Sequence, residues 1–228
     1  MKLYDYWRSS SAWRVRIALG WKGILYQRRS VNLIAPGPAG GEQHEVPFTA
    51  LNPLAQVPVL ELDGAECLDG GRPGLRHIAQ SMAILEFLEE RFPSPPLLPA
   101  DPWRRARARQ LAEMVNAGIQ PLQNMATVHH VKSALGGDPQ AWMRHFIMRG
   151  LAALETVAAE TATTFLVGDA VSFADVYLVP QLYAARRFSV DVGDFPTLLR
   201  AEAACAALPA FVAAHADHHP DRPPAHPP

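Results

Sequence analysis

The chain has 228 residues, 49% of them hydrophobic, with 21 Lys and Arg against 22 Asp and Glu and a formal net charge of −1. That is enough apolar material for one large domain or two modest ones. The near-neutral balance excludes a general attraction for nucleic acid or an anionic membrane surface, so any anion must be bound locally.

The opening MKLYDYW meets Arg8 and three serines before an apolar core of signal-peptide length can develop. No window offers the ~18 uninterrupted apolar residues of a membrane span. The cysteines Cys67 and Cys205 lie far apart, with neither C-x-x-C nor metal-ligand spacing. A cytoplasmic protein with reduced thiols and no bound metal is the expectation.

Residues 2–7 read as a short strand. Ser9, Ser10 and Ser11 then offer N-cap hydroxyls to a helix whose stripe runs Trp13, Ile17, Gly20 and Trp21, and Gly23 is placed to stop it. A second strand over roughly 26–31 leads into a Gly- and Pro-rich loop, 35–47. QVPVLELDG reads as a strand with proline at its entrance and a turn at Asp63 and Gly64. The glycine-rich stretch 65–79 looks like a surface excursion, with the next strand either AECLDG or LRHIA. QSMAILEFLEERF places Met82, Ile84, Leu85, Phe87, Leu88 and Phe92 as a helix packed on a sheet would.

SPPLLPADP, 94–102, cannot continue that helix, because its prolines lack the required N–H and clash with the preceding turn. It reads as the linker. Beyond it strand patterning stops: the windows 102–135, 138–161, 172–187 and 196–215 all read as helical, the first kinked at Pro121. Ser172 and Asp175 have the spacing of a capping box and are read as structural. The histidine-rich tail HADHHPDRPPAHPP carries enough proline to read as a flexible end rather than a metal tract. His129 and His130 would point ~100° apart on a helix and could not share one ion. The expected division is a first domain over 1–93, a linker over 94–101, an all-helical domain over 102–216 and a flexible tail over 217–228.

The chemistry begins at WRSSSAWRVR. Free N–H groups at a helix start, the positive end of the helix dipole, and Arg8 and Arg14 nearby all stabilise an anion. A thiol bound there would lose its proton more readily, and the thiolate is the nucleophile. Capping alone is the commoner role for serines in such a place.

RSSSAWRVRIAL, NLI, ALNPLAQVPVL, QSMAILEFLEE, LLPADP, GIQPLQN, VGDAVSFADVYLVPQ and RRFSVDV occur in an order and approximate spacing that resembles the zeta-class glutathione transferases. More narrowly, over residues 1 to about 215, the chain is similar to the maleylacetoacetate isomerases and the related maleylpyruvate isomerases. The resemblance implies a glutathione transferase fold: an α/β thioredoxin-like N-terminal domain followed by an all-α C-terminal domain, in a homodimer. It implies glutathione as cofactor and a small anionic maleyl keto acid as substrate.

By the same resemblance, Ser9 is the serine that hydrogen-bonds the glutathione sulfur, with Ser10 its neighbour. Ser11 stands where the family has cysteine, which removes any mechanism needing a protein thiol there. A cis bond before Pro58, on base rates about 5% for any X-Pro bond, becomes the expectation, turning the N–H and C=O of Val57 towards the peptide. Gln80 and Ser81 suit the γ-glutamyl carboxylate, though N-capping explains Ser81 as well. Gln120 and Asn124 are implied to reach the glutathione region; without the resemblance they are polar residues beside a kink. Arg187 is implied to meet the substrate's carboxylate; read alone it is a surface arginine beside Arg186.

The candidate catalytic residues are therefore Arg8, Ser9, Ser10 and Arg187. The candidate cofactor residues are Ser9, Ser10, Ser11, Arg14, Val57, Pro58, Gln80, Ser81, Gln120 and Asn124. The implied reaction is cis–trans isomerisation by thiolate addition, bond rotation and elimination, with maleylacetoacetate to fumarylacetoacetate in aromatic amino acid degradation as the first expectation. The alternatives are maleylpyruvate isomerase, a zeta-class transferase or dehalogenase, and a non-catalytic glutathione-fold binding protein. The stretch 65–79 is longer than the family's usual turn.

Overall fold

The structure, a computed structural model, describes residues 1–36, 40–62 and 76–223. They fall into two units, Met1–Pro95 together with the chain from Pro209, and Pro96–Leu208. In chain order the first contains β1 (Lys2–Asp5), α1 (Ser10–Trp21), β2 (Gln27–Ser30), α2 (Val46–Thr49), β3 (Val59–Leu62), β4 (Arg76–Ala79) and α3 (Ser81–Arg91). The second contains α4 (Pro102–Asn116), α5 (Met125–Ser133), α6 (Pro139–Ala158), α7 (Phe173–Arg187) and α8 (Pro196–Ala206). The chain then returns to the first unit as α9 (Pro209–Ala214).

In the first unit the strand order is β2-β1-β3-β4, with β1 parallel to β2 and both other pairs antiparallel. The parallel pair needs the crossover that α1 supplies. A β-α-β unit followed by β-β-α is the thioredoxin-like topology. Strand alternation sends Leu3 and Asp5 to one face, both at 0% exposure. Lys2 and Tyr4 lie on the other face, where the Lys2 ammonium and the Tyr4 hydroxyl each donate to Glu61 at 2.8 Å.

Helix α1 is buried without interruption from Ala12 to Leu19, which a single apolar stripe does not predict. Its cover is supplied by α3 and by the returning α9. α9 packs closely on α1 at position 20, where a Cβ would sit 3.6 Å from that of Ala210, in ordinary van der Waals contact. At the far end of α1, the Lys22 ammonium is buried but satisfied, donating to Glu89 at 2.7 Å, to the Phe92 carbonyl at 2.6 Å and to the Pro95 carbonyl at 3.1 Å.

Several expectations change. The window 102–135 is two helices rather than one kinked helix. α4 stops at Asn116, and a 3-10 turn over Gln120–Gln123 intervenes before α5. Pro121 sits at the start of that turn, where a missing N–H leaves no bond unmade. The window 196–215 likewise breaks at Pro209, which cannot continue α8. Among the two readings of the last strand, β4 corresponds to LRHIA. Cys67, AECLDG and the turn at Asp63 and Gly64 lie outside the described residues, as do 224–228.

The segment read as a loose tail from 217 is packed in its described part. Ala216–His218 forms a 3-10 turn and His219 is only 5% exposed, held by Asp5. The capping box on α7 is present, with Ser172 and Asp175 each 0% exposed. Burial pushes the Asp175 carboxyl up to about 6, against the opposing hydrogen bonds from the Leu166 and Ser172 N–H groups and the Ser172 hydroxyl.

Candidate active site

The register of the sheet assembles three chain segments at one end. Tyr4 of β1 lies opposite Val59 of β3, and Val59 lies opposite Ala79 of β4. Because β3 runs against its two neighbours, the residues after β1, before β3 and after β4 all emerge together. These are the serine turn, the Val57-Pro58 pair and the Gln80-Ser81 pair. A cleft of about 400 Å³ lined by Met1, Lys2, Leu25, Tyr26, Gln27 and Glu61 opens at the opposite end of β1 and contains none of them.

Ser9 is the N-cap of α1, in extended backbone conformation, and its Oγ accepts the Ala12 N–H at 3.2 Å. Its own N–H donates to the Tyr6 carbonyl at 2.9 Å. A hydroxyl has one donor hydrogen and two acceptor sites. The cap uses an acceptor site and leaves the O–H free to donate to a second group, so capping and sulfur binding are compatible in one side chain. Ser10 and Ser11 are the first two helical residues, both half-buried, and the first turn of α1 carries no acidic side chain to offset the helix dipole. The Arg8 guanidinium lies 5.2 Å from the Trp7 ring centroid.

Arg14 is placed differently from the expectation of a ligand-facing cation. It is fully buried, and its Nη1 donates to the Ser81 hydroxyl at 3.1 Å, bracing α1 against α3. The Val57-Pro58 bond is cis. Val57 belongs to an apolar cluster with Tyr6, Val31, Phe48 and Val59. Gln80, the N-cap of α3, has φ 72° and ψ 117° and makes no side-chain cap bond. A non-glycine residue there costs on the order of 1–3 kcal/mol, and such strain persists where the surroundings enforce a geometry with a use. The first turn of α3 also lacks an acid. Two uncompensated helix starts thus emerge at the same end of the sheet, suited to a ligand carrying more than one negative charge.

Gln120, Asn124 and Arg187 belong to the second unit. Gln120 opens the 3-10 turn and is half-buried. The Asn124 Oδ1 accepts the Ala126 N–H at 3.2 Å, capping α5. Arg187 ends α7, exposed, with its guanidinium 4.4 Å from the Phe188 ring centroid. Its neighbour Arg186 is engaged with Glu202 through two contacts of 2.6 and 2.5 Å, so the two arginines have different surroundings. Gln123, which sequence reasoning passed over, exchanges hydrogen bonds with the buried Gln181 at 3.2 and 3.1 Å.

Also passed over was a buried ionic group behind the serine turn. Arg16 Nη1 donates to Asp5 at 2.7 Å, and His219 lies 3.0 Å from the other Asp5 oxygen. Burial alone would raise the Asp5 carboxyl, but the Arg16 charge and the His219 hydrogen bond outweigh it and hold the group below its usual range. The available signal was alternation, since an acid two residues after Leu3 in a strand shares its inward face and requires a partner. Among the described residues no group of three His, Cys, Asp or Glu could hold a metal ion.

A thioredoxin-like unit whose serine-capped helix start emerges at the same end of the sheet as a cis-proline pair, joined to an all-helical unit, defines the glutathione transferase class. Residues 8–91 match the glutathione S-transferase N-terminal domain family and residues 145–209 match its C-terminal domain family. The maleylacetoacetate isomerase of Pseudomonas aeruginosa is 45% identical over 226 residues, 98% of this chain and 99% of its own. The crystal structure of maleylacetoacetate isomerase from Anaeromyxobacter dehalogenans with bound glutathione is 52% identical, with a TM-score of 0.85 and 97% of each chain covered. That enzyme has also been solved with dicarboxyethyl glutathione and citrate in its active site. A bacterial maleylpyruvate isomerase, a zeta-class glutathione transferase, is 38% identical with a TM-score of 0.84, covering 97% of this chain and 99% of that one. The chain belongs to the maleylacetoacetate isomerase family of zeta-class glutathione transferases.

Proposed function

We infer that the protein is a glutathione-dependent cis–trans isomerase of a maleyl keto acid, with maleylacetoacetate to fumarylacetoacetate as its reaction. The observation that carries this reading is the Ser9 turn. A hydroxyl whose acceptor side is used by the cap and whose proton remains available stands at a helix start free of acidic residues. The donor set fits glutathione: this turn for the sulfur, the backbone beside Pro58 for the cysteinyl unit, and the start of α3 with Gln80 and Ser81 for the γ-glutamyl carboxylate. When bound, glutathione supplies a sulfur nucleophile that adds to the substrate's double bond and departs once the bond has rotated, so that it is regenerated.

The protein's own groups hold and move charge. Ser9 donates to the sulfur and, with the dipole of α1, keeps it ionised. Ser10 is a second donor. Negative charge reaches the substrate's carbonyl oxygens while the double bond is open, and Arg8 is assigned to stabilise it there. Arg187 is assigned to the substrate's carboxylate. Ser11 offers no thiol, so sulfur chemistry at this turn falls to the cofactor. Gln120 and Asn124 are assigned to the glutathione region.

The deciding experiment follows cis-to-trans conversion of maleylacetoacetate and maleylpyruvate spectroscopically, with and without glutathione, while free thiol is measured. Conversion that requires glutathione without consuming it supports the isomerase; stoichiometric consumption identifies a transferase. A preference for maleylpyruvate would move the protein to the neighbouring group. A homodimer in the cytoplasm, serving aromatic amino acid degradation, completes the reading. No helix among the described residues is long and apolar enough to cross a membrane. Val46 and Leu54, 80% and 63% exposed, offer apolar surface that a second copy would cover, which sedimentation tests.

A further inference from the structure

The chain beyond α9 ends its described course against the back of the serine turn, and the contacts form a continuous relay. His219 Nδ1 accepts the Asp221 N–H at 3.2 Å, which fixes the ring proton on Nε2, and that nitrogen lies 3.0 Å from Asp5 Oδ2. The other carboxylate oxygen accepts from Arg16 Nη1 at 2.7 Å. The same guanidinium donates from Nη2 to the Trp7 carbonyl at 3.1 Å and from Nε to the Ala214 carbonyl at 3.2 Å. Its Nη1 also lies 3.5 Å from the Tyr6 carbonyl, which accepts the Ser9 N–H at 2.9 Å. His219, Asp5 and Arg16 are all at least 95% buried.

We propose that His219 is a positioning residue for catalysis: by orienting Asp5, and through it Arg16, the carboxy-terminal segment sets the Tyr6-Trp7 backbone from which the Ser9 hydroxyl is aimed. The physical basis is that an arginine held at four points has little rotational freedom, whereas a carboxylate with one partner removed can turn and release it. In a buried network the loss of one donor is transmitted because no water replaces it. The groups facing His219 are Asp5 from β1, Arg28 of β2 with its Nη1 at 3.5 Å, and Asp221 on its own segment. Arg16 of α1 and the phenol of Tyr26, kept neutral by burial and by the charge of Asp5, complete the titratable surroundings of Asp5.

The proposal rests on the reading of Ser9 as the sulfur's donor, and the experiment separates the two. In the 228-residue chain, His219→Asn retains an acceptor for the Asp221 N–H but removes the donor to Asp5, while His219→Gln reaches the Nε2 position and retains that donor. Ultraviolet absorbance of the bound thiolate is titrated against pH, alongside kcat, the KM for glutathione and the melting temperature. His219→Asn is expected to raise the bound thiol's titration midpoint by about one pH unit and lower kcat about tenfold, which are the same free energy, with glutathione KM within about twofold. His219→Gln is expected to restore both.

Loss of melting temperature with an unmoved midpoint and kcat in His219→Asn would make the segment a structural clamp only and overturn the proposal. Equal losses in His219→Asn and His219→Gln would overturn it as well. If Ser9→Ala itself leaves the midpoint unmoved, the Ser9 reading fails and takes this proposal with it. If Ser9→Ala moves the midpoint and His219→Asn does not, only the positioning role falls.

Discussion

Replacing Ser9 separates the observed cap from the role that the proposed function gives the same hydroxyl. As an acceptor, Ser9 Oγ satisfies the Ala12 N–H at 3.2 Å; losing an N-cap to alanine costs about 1 kcal/mol of stability, whereas glycine at the same position costs only a few tenths. In the proposed role it would donate to the ionised sulfur, and a hydrogen bond to a charged group is worth about 1.5–3 kcal/mol. Ser9→Gly should therefore leave the melting temperature nearly unchanged. Turnover should fall by roughly 10- to 150-fold, since each 1.36 kcal/mol is a factor of ten, and the bound thiol should titrate about one to two pH units higher. Ser9→Ala should show the same catalytic loss with an added loss of stability, and Ser9→Thr should preserve most of both. Because the donor acts on the ionised sulfur rather than on the peptide as a whole, glutathione binding measured by calorimetry near neutral pH should change much less than kcat. Equal losses in affinity and turnover, or an unmoved thiol titration, would refute the assignment and return Ser9 to a cap.

Three further outcomes follow from the geometry. Gln80→Gly relieves a backbone held at φ 72°; strain relief of about 1–3 kcal/mol exceeds glycine's entropic cost of about 0.5–1, so the melting temperature should rise while glutathione affinity falls several-fold, and a lower melting temperature would show that no strain was stored. Gly150→Ala should destabilise despite alanine's advantage in a helix of about 1 kcal/mol, because its Cβ would lie 2.3 Å from Ile119 Cγ1 and 2.6 Å from Cδ1; melting of the double variant with Ile119→Ala should show less than additive loss. Asp175 holds its proton to about pH 6 in the folded chain and releases it near 3.8 when unfolded, so its contribution makes stability fall as pH rises between those values. Asp175→Asn should flatten that slope in denaturant titrations, while Asp5, shifted downward, acts with the opposite sign and only at lower pH.

The legible parts of the fold were those written in local pattern. The short opening strand marked β1, the proline-led entrance located β3, and the Ser172-Asp175 spacing gave the start of α7, because each is set by residues within one turn or one strand of each other. Helix ends inside the second unit were harder. Alanine- and leucine-rich windows continue across Gly118 and Leu208, and the breaks there depend on where a proline sits relative to a backbone that composition does not show. The returning segment was illegible for another reason: HADHHPDRPP is as polar as a loose tail, and only its placement beside Asp5, 214 residues away in sequence from His219, makes one of its histidines a buried partner.

The two arginines of α1 show where site reading from sequence reaches its limit. Arg14 and Arg16 both follow the serine turn closely, and proximity alone makes either a candidate for the anion. Two residues apart on a helix, however, they point about 200° from each other, so they cannot serve the same group. The burial of α1 from Ala12 to Leu19 decides the matter for both: with protein on each side, a guanidinium must meet protein acceptors or carry the full cost of an unpaired buried charge. Arg14 accordingly turns to Ser81 and Arg16 to Asp5 and the Trp7 carbonyl. In the proposed function, stabilising the sulfur's charge then falls to the groups left at the helix start, which are the dipole of α1, the Ser9 hydroxyl and Arg8. The arginines inside the helix contribute by fixing the segments that those groups stand on.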